Sequence, residues 1–330
     1  MGKGYIYSPA HLPGHNAVWF CNTLNFHGDY GNFDDSYYKD ELFNPIFDSL
    51  KINFSKDING ADVISFFACH PTKVRAEQFW DFNFYEGANP DTSELKAPAL
   101  RPADSMITAR KNFRRLMQFL KSQDNIEVTT FSDLMDRFSY QHDFINKKDL
   151  RNIATEIVEG KTIQIGEYFS PAEVFAALVQ SITECTQGKK IPKKLKRISP
   201  LGPMEMPPEI PEISNVSISQ INEMASTAYS TIIDRGCLPS SLCIEDKCIG
   251  TGSLLALFSS VFLDIVSDNQ KDSYEVIAFD PYPKENEDAI ISEVEGYKDW
   301  IVHRTDLDMA HLVQLTKLQL WTLKPAHEQD

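Results

Sequence analysis

No stretch of the chain reaches the ~18 consecutive apolar residues that a membrane span requires. The opening residues, MGKGYIYSPAHLPG, carry neither the apolar run nor the cleavage pattern of an export signal. Ile6 stands where an N-terminal acylation site needs Ser or Thr. The default expectation is a cytoplasmic chain, or one in the cell envelope if further sequence precedes Met1. Basic residues are also scarce: the net charge is −15, which argues against nucleic acid as the main partner. Six cysteines in 330 residues are too few for a disulfide framework. Cys237, Cys243 and Cys248 do not follow a zinc-binding spacing.

The chain is rich in aromatics near its start. Of 37 aromatic residues, 19 fall in the first 90, more than a core alone calls for. The most informative run is Val63–Pro90. Val63, Ile64, Phe66 and Phe67 form a continuous apolar segment of the kind a parallel sheet buries on both faces. It ends on His70, where Pro71 stops a central strand. Carboxyl ends of such strands commonly deliver catalytic side chains. Trp80, Asp81, Asn83, Tyr85 and Asn89 follow within twenty residues. Flat rings beside amide and carboxylate groups suit sugars, which stack through their C–H faces and offer hydroxyls to polar groups. Phe66, Phe67 and Phe79 are read as packing, and Cys69 as a small buried hydrophobe.

Two halves differ in pattern. Residues 1–145 alternate strand and helix: a strand at Ala17–Cys21, a helix at Leu42–Leu50, the strand Val63–Cys69, a helix at Met106–Ser122, a strand at Ile126–Thr130 and a helix capped by Ser132. This order predicts parallel βα units, too few to close a barrel. Residues 146–330 are predicted to be mainly α, built from helix–turn–strand repeats. Ser170-Pro-Ala-Glu173 is a capping box with Pro at the first helical position, followed by Gly188, Pro192 and Leu195. Ser217-Ile-Ser-Gln220 opens the same series, followed by Gly236, Pro239 and Leu242, and capping Ser to Pro is 22 residues in both. A third copy starts at Thr251-Gly-Ser253, where helix capping is preferred to a phosphate cradle, and a truncated one covers Lys148–Ile165. Ser199–Ile213 holds five prolines and should be an extended connector or wrapping arm.

Asn16–Pro90 resembles the C-terminal part of polysaccharide deacetylase-like proteins. Val18-Trp-Phe20, Leu24-Asn-Phe26, Cys69-His-Pro-Thr72, Glu77-Gln-Phe-Trp-Asp81 and Asn89-Pro90 carry the likeness. The resemblance implies a partial (β/α) barrel and removal of acetyl groups from an amino-sugar or cell-wall glycan. His70 would be the acid/base, Asp81 would orient it or a sugar hydroxyl, and Trp80, Asn83, Tyr85 and Asn89 would contact substrate. Such proteins hold a divalent, zinc-type metal through an aspartate and a His pair, and no such His pair occurs here. Asp34 and Asp35 are the candidate metal ligands, although no apolar strand precedes them and a solvated turn also accounts for them. The ligand set is therefore incomplete, and the expectation is little or no activity: the metal-binding half precedes Met1, or the protein binds glycan without catalysis. The second half is similar to pseudomurein-binding repeats, through Gly188–Pro192 and Cys237-Leu-Pro-Ser240. Trp300–His303 and Gln319–Ala326 are read as a terminal cap of the array. Lys189–Arg197, with six basic residues in nine, is a solvated face or a contact for an anionic polymer.

Overall fold

The computed structural model describes residues 10–12, 17–19, 36–54, 75–138, 142–164, 166–284, 287–296, 298 and 300–326. It is mixed α/β, with small antiparallel sheets and, among the described residues, no closed barrel. The chain divides into two compact units. The first takes in residues 1–8, 20–134 and 292–309; the second takes in 9–19, 135–291 and 310–330.

In the first unit, helix α1 (Asp40–Phe54) packs on α2 (Ser105–Lys121). Phe43, Phe47 and Leu50 recur at helical spacing on α1 and meet Ala109, Leu116 and Leu120 of α2. Phe43 and Phe47 stack at 5.2 Å, and Phe119 meets Phe47 edge-on at 5.7 Å. Asn112 is fully buried in this apolar contact, so its amide must be satisfied. It donates to the Tyr37 carbonyl (3.1 Å) and to Asp40 Oδ1 (3.0 Å), and accepts from Arg115 (3.0 Å). Ile126–Thr130, expected as a strand, pairs with no other strand among the described residues: Ile126 N donates to Gln123 O within a turn, and Val128 is exposed. Its Thr130 instead caps α3 (Phe131–Phe138), exchanging hydrogen bonds with Asp133 (3.2 Å each), so the cap falls two residues before Ser132. The strand Val63–Cys69, on which the barrel expectation rests, lies outside the described residues.

The second unit is a duplication. Strand β3 (Phe144–Asn146) leads into α4 (Lys147–Gly160); α5 (Pro171–Thr186) leads into β4 (Lys194–Lys196), which pairs antiparallel with β3. The same events recur with β5 (Asn215–Ser217), α6 (Ile218–Arg235), α7 (Thr251–Val266) and β8 (Ser273–Glu275), which pairs with β5. Each strand buries only its middle residue: Ile145, Leu195, Val216 and Tyr274. Even the flanking bonds correspond. Lys147 N donates to Lys193 O and Ile218 N to Asp272 O, both at 2.9 Å; Arg197 N donates to Asp143 O and Val276 N to Ser214 O, both at 2.8 Å.

This pairing changes the repeat expected from the sequence. Helices occur at all four expected positions, and both capping boxes form, at Ser170–Glu173 and Ser217–Gln220. The 22-residue register, however, matches α5 to α6, whereas the strand pairing matches α4 to α6 and α5 to α7. Caps and glycine stops recur in any well-formed helix; the partner of the following strand decides equivalence. After α6 that strand is β6 (Ser241–Ile244), which turns back on β7 (Lys247–Gly250) as a hairpin. Nor do the units stack in chain order. α4 packs chiefly on α7, α7 on α5 and α5 on α6, so the two halves interlock. The order α4–α7–α5–α6 reads the same backwards when the halves exchange places.

The two central helices are buried all round, as this order requires. Phe175 and Phe258 meet edge-to-face at 5.6 Å between them. Each such fully buried aromatic or leucine side chain contributes about 1.5–3 kcal/mol of transfer free energy. The connector Ser199–Ile213 runs along the hairpin: Leu238 N donates to Leu201 O, Glu212 N to Cys248 O, and Cys248 N back to the Glu212 carboxylate. Cys243 and Cys248, opposed in the hairpin register, form a disulfide. A separate sheet forms where β1 (Ala10–Leu12) pairs with β2 (Ala17–Trp19) and with β9 (Lys324–Pro325). Helix α8 (Glu287–Gly296) and helix α9 (Ala310–Gln319) complete the described elements. Gln319–Ala326 is part of the core rather than a cap, since Trp321 is fully buried, while Trp300–His303 belongs to the first unit.

Candidate functional site

His70, Asp34 and Asp35 lie outside the described residues, and of Trp80 only the backbone is described. The remaining candidates sit in a loop of the first unit closed at its base by two short antiparallel stretches. Glu77 N donates to Ala99 O and Arg101 N to Arg75 O, both at 2.9 Å. Inside the loop, Asn83 acts as a strand partner: its Nδ2 donates to Lys96 O (3.2 Å) and its Oδ1 accepts from Lys96 N (2.9 Å). Both amide groups of Asn83 therefore brace the loop. Trp80–Gly87 winds as 3-10 turns and ends with Glu86 and Gly87 at positive φ, 53° and 76°. A side chain at Gly87 would collide with Arg304.

That reversal lets Glu86 N donate to Ile301 O at 2.6 Å, which fixes the 300–304 turn against the loop. Asp81 Oδ2 accepts the indole N–H of Trp300 at 3.0 Å. His303 meets the Trp300 ring edge-on at 5.7 Å. Trp300 is 43% exposed and Tyr85 59%, and Asn89 is exposed nearby in the chain. The structure thus joins Asp81 to a tryptophan and a histidine more than two hundred residues away. In the sequence both read as part of a terminal cap rather than of this site. Their signal was an exposed-type Trp and a His three residues apart, with no apolar periodicity around them to explain them as core.

A second polar cluster lies in the second unit. Glu173, the third residue of α5, is fully buried and receives Ser170 N (3.0 Å), Ser199 Oγ (2.6 Å) and Lys324 Nζ on both oxygens (2.9 Å each). Arg197 stands 3.6 Å away. Burial pushes the Lys324 ammonium below its ordinary range, while Glu173 opposes that shift. The corresponding residue of the second half is Ser253, whose hydroxyl simply accepts Phe279 N (3.2 Å). With every oxygen of Glu173 engaged by protein donors, this cluster ties the end of the chain to a helix start and leaves no acceptor for a ligand.

Gly250-Thr-Gly-Ser253 opens α7 without a phosphate cradle. A Cβ on Gly250 would collide with the Pro208 carbonyl oxygen, and one on Gly252 with that of Asp280, so these glycines permit backbone approach. Among the described residues, no group of three His, Cys, Asp or Glu is placed to hold a metal, and no helix is long and apolar enough to cross a membrane. Neither a protein-family model, nor a curated protein, nor a solved structure matches the chain.

Proposed function

We propose that the protein is a carbohydrate-active protein of the polysaccharide deacetylase type, directed at an acetylated amino-sugar or cell-wall glycan. The observation that carries this reading is the loop after His70-Pro71, with Asp81 holding the exposed Trp300 ring by its indole N–H. A ring fixed in this way offers a sugar a stacking surface without first losing side-chain freedom. Tyr85 and Asn89 add an aromatic face and an amide on the same loop. In this reading His70 passes a proton to the leaving amine, a role suited to an imidazole near neutral pH. A zinc-type metal, with Asp34 and Asp35 among its ligands, would polarise the carbonyl and activate water.

The test is release of acetate from acetylated amino-sugar oligomers by the full chain with zinc supplied. The reading expects slow release that His70→Ala abolishes. Rapid release that survives His70→Ala contradicts the assigned role. A second reading, glycan binding without catalysis, is favoured by the exposure of Trp300 and Tyr85 and by the incomplete His set. It expects oligomer binding of unchanged strength in His70→Ala and no acetate from either protein.

A further inference from the structure

The duplication in the second unit is a built-in control for its charged residues. An exposed residue that one half carries and the other lacks is not required by the strand pairing and helix starts that the halves share. The largest difference lies on the outer face of the β3–β4 pair. Pairing sets Asn146 opposite Lys194 and Phe144 opposite Lys196, and Lys147 N is bonded to Lys193 O. Lys148 follows in α4, and Lys189 and Lys190 lie in the turn entering β4. Six of these seven lysines are exposed and Lys147 is half-buried. Among the described residues none of the seven forms an ion pair. The acids closest in sequence are Asp143, Asp149 and Glu184, and Asp149 accepts from Asn146 while Glu184 accepts from Gln180.

In the second half the matched backbone positions carry none of this charge, and the one lysine of the corresponding turn, Lys271, is paired with Asp264 at 3.2 Å. Asp272 replaces Lys193, Ser273 and Glu275 replace Lys194 and Lys196, and Ile218 and Ser219 replace Lys147 and Lys148. Asn269 and Gln270 stand for Lys189 and Lys190. Strand pairing is as well formed there, and the helix start, with its Ser217–Gln220 capping box, is better capped than that of α4, so the fold does not need the lysines. Two of them work against it, because a cation in the first turn of a helix opposes the helix dipole. Gathering like charges on one small face costs further electrostatic free energy.

We propose that the outer face of β3–β4 is a docking surface for an acidic, carboxylate-bearing polysaccharide. Lys194 and Lys196 point to one side about 7 Å apart along the strand, with Leu195 between them buried. Phe144 lies directly across from Lys196 and is 48% exposed, giving a sugar ring an apolar face between the ammonium groups. Duplex nucleic acid fits less well: the chain as a whole carries a net charge of −15, and a duplex with one charge per ~1.7 Å of axis is repelled by it more strongly than a sparsely charged carboxylate polysaccharide. The inference rests on the glycan reading only for the class of polymer, and requires neither His70 nor acetyl chemistry.

The test is titration of the full chain with polygalacturonate by calorimetry, at low and raised salt. Binding is expected at low salt and should weaken as salt rises. Lys194→Glu with Lys196→Glu should weaken it by about tenfold or more, with a thermal midpoint that is not lowered, because both residues are exposed and the crowding of like charges is relieved. Ser273→Glu, on the equivalent strand, should leave it unaltered. Unchanged affinity in the double variant overturns the proposal, as does tighter binding to duplex DNA or to phosphatidylglycerol vesicles than to polygalacturonate. Binding of neutral acetylated oligomers should survive the double variant, so failure here is distinguishable from failure of the glycan reading itself.

Discussion

Lys324 and Glu173 show how much a single buried pair can commit. Both side chains are withdrawn from water, and the pair is held by a bidentate contact at 2.9 Å. Removing one partner strands the other charge, so Lys324→Ala should cost about 3 kcal/mol in urea unfolding, with Arg197 limiting the loss. Lys324→Met combined with Glu173→Gln should recover part of it, since no net charge is then left buried. At Gly252 the constraint is steric. Gly252→Ala places a methyl group against the Asp280 carbonyl and should lower stability by about 1–3 kcal/mol. Asp40 gives a pH signature instead. Hydrogen bonds from Lys111 and Asn112 hold its carboxyl below the usual range. A depressed folded-state value means the stabilisation is present above the ordinary carboxylate pKa and is lost as pH falls through the folded value. The stability difference between wild type and Asp40→Asn should therefore be constant near neutral pH and vanish in strong acid, as followed by acid titration of unfolding.

At the scale of elements, helices were the legible part. Apolar spacing marked α1 and α2, and capping boxes marked the starts of α5 and α6 to the residue, because a cap is a local device in which three or four neighbouring residues satisfy one another. Pairing was not legible. Three-residue strands that bury one side chain each carry almost no alternation, so nothing in Phe144–Asn146 or Lys194–Lys196 announces its partner. The candidate site was legible in the same uneven way. Asp81 stood out as an acid among aromatics, but the indole it accepts from lies on a distant turn, and no spacing rule reaches that far. Trp321 was similarly misjudged as a cap. Its ring is fully buried, its N–H donates to Pro281 O, and its carbonyl accepts from Ala172 N. Trp321→Ala should cost about 3–5 kcal/mol in thermal or urea unfolding, far more than an exposed capping residue.

For the molecule as a whole, the duplication separates what the shared scaffold requires from what one half adds to it. In the second unit the interlocked helices supply a core to which both halves contribute, while the exposed lysines of β3–β4 belong to one half only and the buried Glu173 cluster ties the end of the chain to α5. In the first unit the loop that carries Asp81 is braced by Asn83 and by the reversal at Gly87, so its exposed rings are held rather than collapsed. The central claim is that these rings receive a sugar. It is tested most directly by titrating the full chain with acetylated amino-sugar oligomers and following tryptophan fluorescence. A saturable change in wild type that is lost in Trp300→Ala and weakened in Asp81→Leu, with folding intact in both, is the predicted result. An identical response in wild type and Trp300→Ala, or none in wild type, would contradict it.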